Sequence, residues 1–425
     1  MPRRRTWLIV ILILALVFRL VAAAAVQQKV GGRLCLIAGD ANGYWLLAKQ
    51  IASGGDFSLY EPPRQIHRMP GFPAVWALSM QLFGDNRLAI RCLLAIVGTA
   101  ACGAVYLLGR RLFDENIALV ACALSAVSPV MIGFSVLLLS ETLFALTLVL
   151  SLWCAANWLS EKRNDATASQ TTRWSSAIWA LLTGVSIAIA TYVRPSWLLA
   201  GFMLAVVVVA RGRCGRRQLF ESAVMLIGLL GTMLPWAARN HEVCGHWVFT
   251  TLWSGPSLYD GLSPEATGES NMDFFDRDNL MSKMSEWDVD RHYSAAAWQF
   301  ARHRPMRAIE LTFIKLWRYW KPWPNAEQFG GVGPALLVAL FFVPLMVLAF
   351  RGACQSQHRP WVWVLTAGPI LYFAAIHSLF VGSLRYRLPA EYPLCVLAAV
   401  GIVSLSRNLT LSRYLARSSP DRVTA

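Results

Sequence analysis

Charge is what this sequence has least of. Asp, Glu, Lys and Arg together supply 15% of its 425 residues, and only 24 of those residues are acidic. A water-soluble domain of this length draws about a quarter of its residues from those four types, so the composition excludes one. Also lacking are an internal repeat, a soluble insertion and any metal-ligand spacing among the nine cysteines and seven histidines. His241 and His246 flank Cys244 without the tight ligand spacing of a structural zinc site, and they read as loop residues.

What fills the chain instead is apolar: 56% of the residues are hydrophobic, with 18 Trp among them. A bilayer core needs about 20 apolar residues per helix. Stretches of that kind run near Trp7–Val26, Leu88–Gly109, Asn116–Gly133, Thr142–Leu159, Ser175–Tyr192, Trp197–Ala210, Phe220–Ala238, Gly333–Phe350, Trp361–Leu379 and Ala390–Ser406. The fold class expected is therefore all-α, a polytopic transmembrane bundle of about ten spans. Cys92, Cys102, Cys122, Cys154 and Cys395 fall inside these stretches, where they act as small buried hydrophobes.

A net charge of +15 would suggest nucleic acid in a soluble protein. Here its distribution reads as topology, and no nucleic-acid partner is expected. Arg3–Arg5, Arg110–Arg111, Lys162–Arg163–Arg173, Arg211–Arg213–Arg216–Arg217, Arg351–Arg359 and Arg407–Arg413–Arg417–Arg422 occupy alternate connections. The positive-inside rule places those connections and both termini in the cytoplasm. The first span follows an Arg cluster like a signal peptide, but its length makes it an uncleaved anchor. Two long segments, 27–87 and 239–332, fall on the outer side, and Cys35 and Cys244 leave room for one disulfide there.

In the first outer segment Asp40 reads as the N-cap of a helix whose apolar face is Tyr44, Leu47, Ala48 and Ile51. Pro73 reads as the start of a second helix, Ala74–Phe83, ended by Gly84. Both are rich in Trp, Leu and Phe, so they are expected to lie in the membrane interface. Charges then recur at the outer ends of the spans: Arg68 in "RMPGFP", Glu141 in "LLLSETLF", Arg194 in "YVRPSW", and Arg385 and Arg387 in "SLRYRLPAEYPL". Outer arginines run against the positive-inside rule, and an anionic headgroup would account for them, because the planar guanidinium suits phosphate oxygens. The plainer readings are a helix cap for Asp40, snorkelling for Arg194 and Arg387, and a buried ion pair for Glu141.

The order and spacing of Asp40, "RMPGFPAVWAL", "SPVMIGFSVLLLSETLF", "YVRPSWLL" and "LRYRLPAEYPL" resemble the bacterial relatives of dolichyl-phosphate-mannose protein mannosyltransferases. With the lipid A aminoarabinose transferases, that group belongs to the GT-C superfamily, and the similarity runs from about residue 35 to 400. The resemblance implies a membrane glycosyltransferase of the cell inner membrane. It would move a sugar from a polyprenyl-phosphate donor to a glycan, lipid or protein acceptor on the extracytoplasmic face, with inversion. Asp40 matches the family's catalytic base, and Glu61 and Glu141 are the further candidate catalytic carboxylates. Tyr44, Arg68, Arg194, Tyr259, Arg385 and Arg387 are the candidate substrate-binding residues, Tyr259 with Trp253 and Trp320 as candidates for stacking on sugar faces, although Trp in a membrane protein more often marks an interfacial belt. Better-known members carry Asp-Glu where this chain has Asp40–Ala41, so the acceptor class stays open. No cofactor is called for, although Asp40 with Glu61 could bind a metal. A transporter or lipid flippase is the alternative; such proteins place ionisable residues near midspan, where this chain has Arg19 alone.

Overall fold

The computed structural model describes residues 2–31, 33, 39–160, 170–212, 214–325 and 331–418. Among them the structure is helical, with one isolated antiparallel bridge, Leu59 to Arg64. The first long helix, α1 (Pro2–Val30), is followed by two short ones, α2 (Asp40–Ala52) and α3 (Gly71–Phe83), which pack on each other. The bundle continues with α4 (Arg87–Leu112), α5 (Glu115–Val127), α6 (Pro129–Phe134), α7 (Glu141–Ser160), α8 (Gln170–Val193), α9 (Leu198–Arg211) and α10 (Arg216–Cys244). Four helices then build a cap, whose last member packs on the bundle: α11 (Ser254–Gly261), α12 (Asp273–Asp278), α13 (Glu286–His303) and α14 (Pro305–Trp320). The chain returns through α15 (Val332–Gln355), α16 (Pro360–Thr366), α17 (Gly368–Leu379) and α18 (Leu384–Ser418).

Among the described residues seven helices are long and apolar enough to cross a membrane, or eight if α16 and α17, bent by 50° at their junction, count as one span. The two remaining expected spans are shorter, and local chemistry says why. Ser128 takes an extended backbone ahead of Pro129 and its hydroxyl accepts from Met131 N, so the stretch 116–133 splits into α5 and α6. Arg194 is likewise extended before Pro195, which ends α8 and leaves α9 only 14 residues long. Side-chain caps start other helices: Asn86 accepts from Leu88 N and Ala89 N, and Asp114 from Asn116 N and Ile117 N.

The bundle has two chemically distinct ends. At one, Arg4 meets Glu115, Arg359 donates to Leu112 O, and Arg217 pairs with Glu221. That end collects the basic connections expected to be cytoplasmic. The other end gathers the start of α4, α7 and α18 with the finish of α1 and α8: Arg91 bridges Gln27 of α1 and Val136 O just ahead of α7. Arg19 faces inward, fully buried, and donates to Ala15 O, Ser125 O, Ala126 O and Cys102 Sγ, so this midspan cation is held by the bundle itself. Cys244 is free; Cys35, the other cysteine read on the outer side, lies outside the described residues.

Two local expectations need correction. Asp40 is not a cap: Gly39, at φ 91°, precedes the helix, no side chain caps it, and Asp40 is the first helical residue. The helix expected at Ala74 begins at Gly71. The reason is a close approach. A Cβ at Gly71 would lie 2.6 Å from Tyr192 O, so only glycine lets α3 start against the end of α8, two residues ahead of Arg194.

Candidate active site

Asp40, freed from capping, spends its carboxylate on two arginines. Its Oδ1 accepts from Arg68 Nη2 at 2.6 Å and its Oδ2 pairs with Arg385 Nη1 at 2.7 Å. Arg385 uses its Nε on Glu141 Oε1, and Arg194 Nη1 reaches the same oxygen at 3.2 Å. Two carboxylates and three guanidiniums thus form one chain of contacts, Arg68–Asp40–Arg385–Glu141–Arg194, at the end of the bundle away from the basic connections. The exposures differ: the Glu141 side chain is fully buried, whereas that of Asp40 is 33% exposed. Glu141 thus holds two arginines from a buried position, and Asp40 keeps part of its carboxylate accessible. Three polar atoms of the group, Glu141 Oε2, Arg385 Nη2 and Arg68 Nε, are buried without a partner among the described residues.

Each member is delivered by a local feature of the sequence. Arg194 is swung off α8 by the extended pre-proline backbone described above. Arg68 precedes the start of α3 and lies 4.7 Å from the Tyr44 ring, whose hydroxyl donates to Ser140 Oγ beside Glu141. A Cβ at Gly43 would stand 3.2 Å from Arg68 Nε, so glycine keeps that face of α2 clear. Burial opposes the charge on Asp40, but the Arg68 and Arg385 guanidiniums outweigh it and hold the carboxyl well below the usual carboxylate range. His67 is held neutral by burial and by Arg68 and Arg64.

The structure therefore brings Asp40, Tyr44, Arg68, Glu141, Arg194 and Arg385 together. Arg387 goes elsewhere: two residues apart on a helix means about 200° apart around it. Arg387 is buried on the other side of α18, pairs with Glu391 at 2.6 Å, donates to Tyr319 O and Lys321 O, and lies over the Phe342 ring. Glu61 is exposed in a turn and makes no ion pair among the described residues. The ring neighbours of Tyr259 are Phe274 and Tyr293 in the cap. Two members were missed. Tyr386 stacks flat on His377 at 4.1 Å, with Arg194 5.3 Å and Arg385 5.8 Å from its ring. Tyr386 had a signal, its place between two singled-out arginines; His377, inside an apolar stretch, had none.

Residues 67–236 match the family model described as dolichyl-phosphate-mannose-protein mannosyltransferase. No curated protein sequence matches the chain. Among solved structures, it is similar to the oligosaccharyltransferase of Archaeoglobus fulgidus in the apo form, with a TM-score of 0.62 at 16% identity over 98% of this chain and 53% of that one. The structure of AglB from the same organism with an inhibitory peptide and a dolichol-phosphate gives 0.59 at 16% identity over 99% and 53%. ArnT from Cupriavidus metallidurans bound to undecaprenyl phosphate gives 0.43 at 14% identity over 98% and 82%. The chain thus spans about half the length of the archaeal enzymes it matches, and at these identities the likeness concerns the fold.

Proposed function

We propose that this chain, whose residues 67–236 match the family model of dolichyl-phosphate-mannose-protein mannosyltransferases, is a membrane glycosyltransferase that takes a sugar from a polyprenyl-phosphate donor and places it on an acceptor hydroxyl. The observation that carries this reading is the Arg68–Asp40–Arg385–Glu141–Arg194 chain: a carboxylate open to a reactant, ringed by guanidiniums that suit a phosphate. In the reaction the acceptor oxygen attacks the anomeric carbon from the side opposite the phosphate. The bond from that carbon to the phosphate oxygen breaks, the configuration inverts, and the hydroxyl proton passes to Asp40. Charge growing on the leaving lipid phosphate is met by Arg385, Arg68 and Arg194.

A carboxylate clamped by two arginines is a weak base, and the geometry offers the remedy. A phosphate and Asp40 compete for the same N–H groups, so phosphate binding loosens Asp40 from Arg68 or Arg385 and raises its affinity for a proton. The arginine-rich connections at the far end of the bundle support an extracytoplasmic site in a cell inner membrane. The test is mass spectrometry of envelope glycolipids and glycoproteins from cells with and without the gene, complemented by the wild type or by an Asp40→Asn variant. Loss of one sugar, restored only by the wild type, is expected. An identical envelope in all strains would remove the reading.

A further inference from the structure

Arg68 sits at the end of an irregular segment, 57–68, and three residues from the end of α10 to the start of α13 hold that segment by its backbone. Every main-chain polar group of Gln65 and Ile66 is taken by a residue of 239–286. Gln65 N donates to Glu286 Oε2 at 2.9 Å, and Ile66 N donates to Glu286 Oε1 and Oε2, both at 3.1 Å. Gln65 O accepts from Arg239 Nη1 at 2.7 Å, and Ile66 O accepts from Leu252 N at 2.9 Å. Arg239 also reaches Phe57 O with its other nitrogen, at 3.2 Å. Glu286 opens α13, where an acid ordinarily serves the helix's own N–H groups. Here Ser285 does that work, accepting from Asp288 N, and the Glu286 carboxylate crosses to the first segment instead.

The next two residues feel the result. His67 is fixed with its ring 4.1 Å from that of Trp253, and Arg68 follows directly to meet Asp40. We propose that Glu286 is a positioning residue for Arg68: by gripping two consecutive N–H groups it sets the point from which Arg68 reaches Asp40 and the donor phosphate. The inference rests on the reading of Arg68 as a phosphate ligand. It ties α13 of the cap to the donor site through the backbone, with the Glu286 carboxylate bonded to Gln65 N and Ile66 N rather than to Asp40. A misplaced guanidinium loses phosphate affinity even though every side chain of the site is still present.

The test uses the full-length protein in nanodiscs with undecaprenyl phosphate as the probe, comparing wild type, Glu286→Gln, Arg68→Ala and the double variant. Glutamine keeps the shape of Glu286 but offers one acceptor oxygen to two donors. Glu286→Gln is expected to weaken binding about ten-fold, and Arg68→Ala at least as much. In the Arg68→Ala background Glu286→Gln is expected to add less than about two-fold, because residues that act through one another are non-additive. A Glu286→Gln affinity equal to wild type, or effects that multiply in the double variant, overturns the proposal and leaves Glu286 as a stabilising contact only. Arg68→Ala binding as tightly as wild type instead overturns the phosphate reading of the site, and this inference with it. Should Glu286→Gln fail to fold, Arg239→Gln releases the same segment from its other side and is held to the same outcomes.

Discussion

Replacing Asp40 by Asn separates the proton transfer proposed for this residue from its contacts with the two arginines. The helix start is untouched, because no side chain caps α2. Asparagine can still accept from one arginine through its oxygen, so one of the two charge-assisted contacts, 2.6 Å to Arg68 or 2.7 Å to Arg385, is lost. Such a contact is worth about 1.5–3 kcal/mol when shielded, and with a third of the side chain exposed the loss of stability is expected near 1 kcal/mol. Donor binding should move the other way. Removing a negative charge that competes with the phosphate for the same guanidiniums relieves repulsion of about 1 kcal/mol after solvent screening, or about five-fold tighter binding. Transfer, having lost its base, should fall by about 10² to 10⁴. Turnover at saturating donor together with polyprenyl-phosphate affinity makes the assay. Turnover within about three-fold of wild type would refute the base, and affinity falling in parallel with turnover would show that Asp40 merely arranges the arginines.

Glu141→Gln should cost more stability than Asp40→Asn, because Glu141 is fully buried and both Arg194 and Arg385 depend on its oxygen. Breaking a buried pair typically costs about 3–5 kcal/mol, so a melting temperature within about 2 °C of wild type would contradict the anchoring role. In the cap, burial pushes the Asp260 carboxyl up to about 6, against the bonds from Ser270 Oγ and Asn271 N and the charge of Lys315. A folded-state value above the unfolded one of about 3.9 contributes stability that is fully present below the latter and is lost as pH rises through the former. Lys315, pushed down to about 8 by burial, titrates above that window. Wild-type thermal stability should therefore decline from pH 4 to 7 with a contribution that Asp260→Asn abolishes; an unchanged slope in the variant would show that Asp260 carries none of it.

How much of this was legible beforehand depends on what each residue's neighbours reveal. Apolar length marks a span well but says little about its continuity, which rests on single residues: Pro129 splits one expected span and Pro195 shortens another. The charges that the structure brings together stood out in the sequence because each lies at the edge of an apolar stretch, the arginines also against the positive-inside reading. Arg387 shares that oddity with Arg385, and only the helix period separates them, sending one to Asp40 and the other to Glu391. Applying the 3.6-residue period to "LRYRLPAE" would have placed Arg387 and Glu391, four apart, on one face as a pair. Glu286 was illegible for a different reason. It speaks to backbone N–H groups 220 residues away, and a main-chain donor leaves no signature in sequence. Charged side chains that gather at one end of the bundle can therefore be singled out from composition and position, whereas the groups that fix where such a charge stands become visible only when the chain is folded.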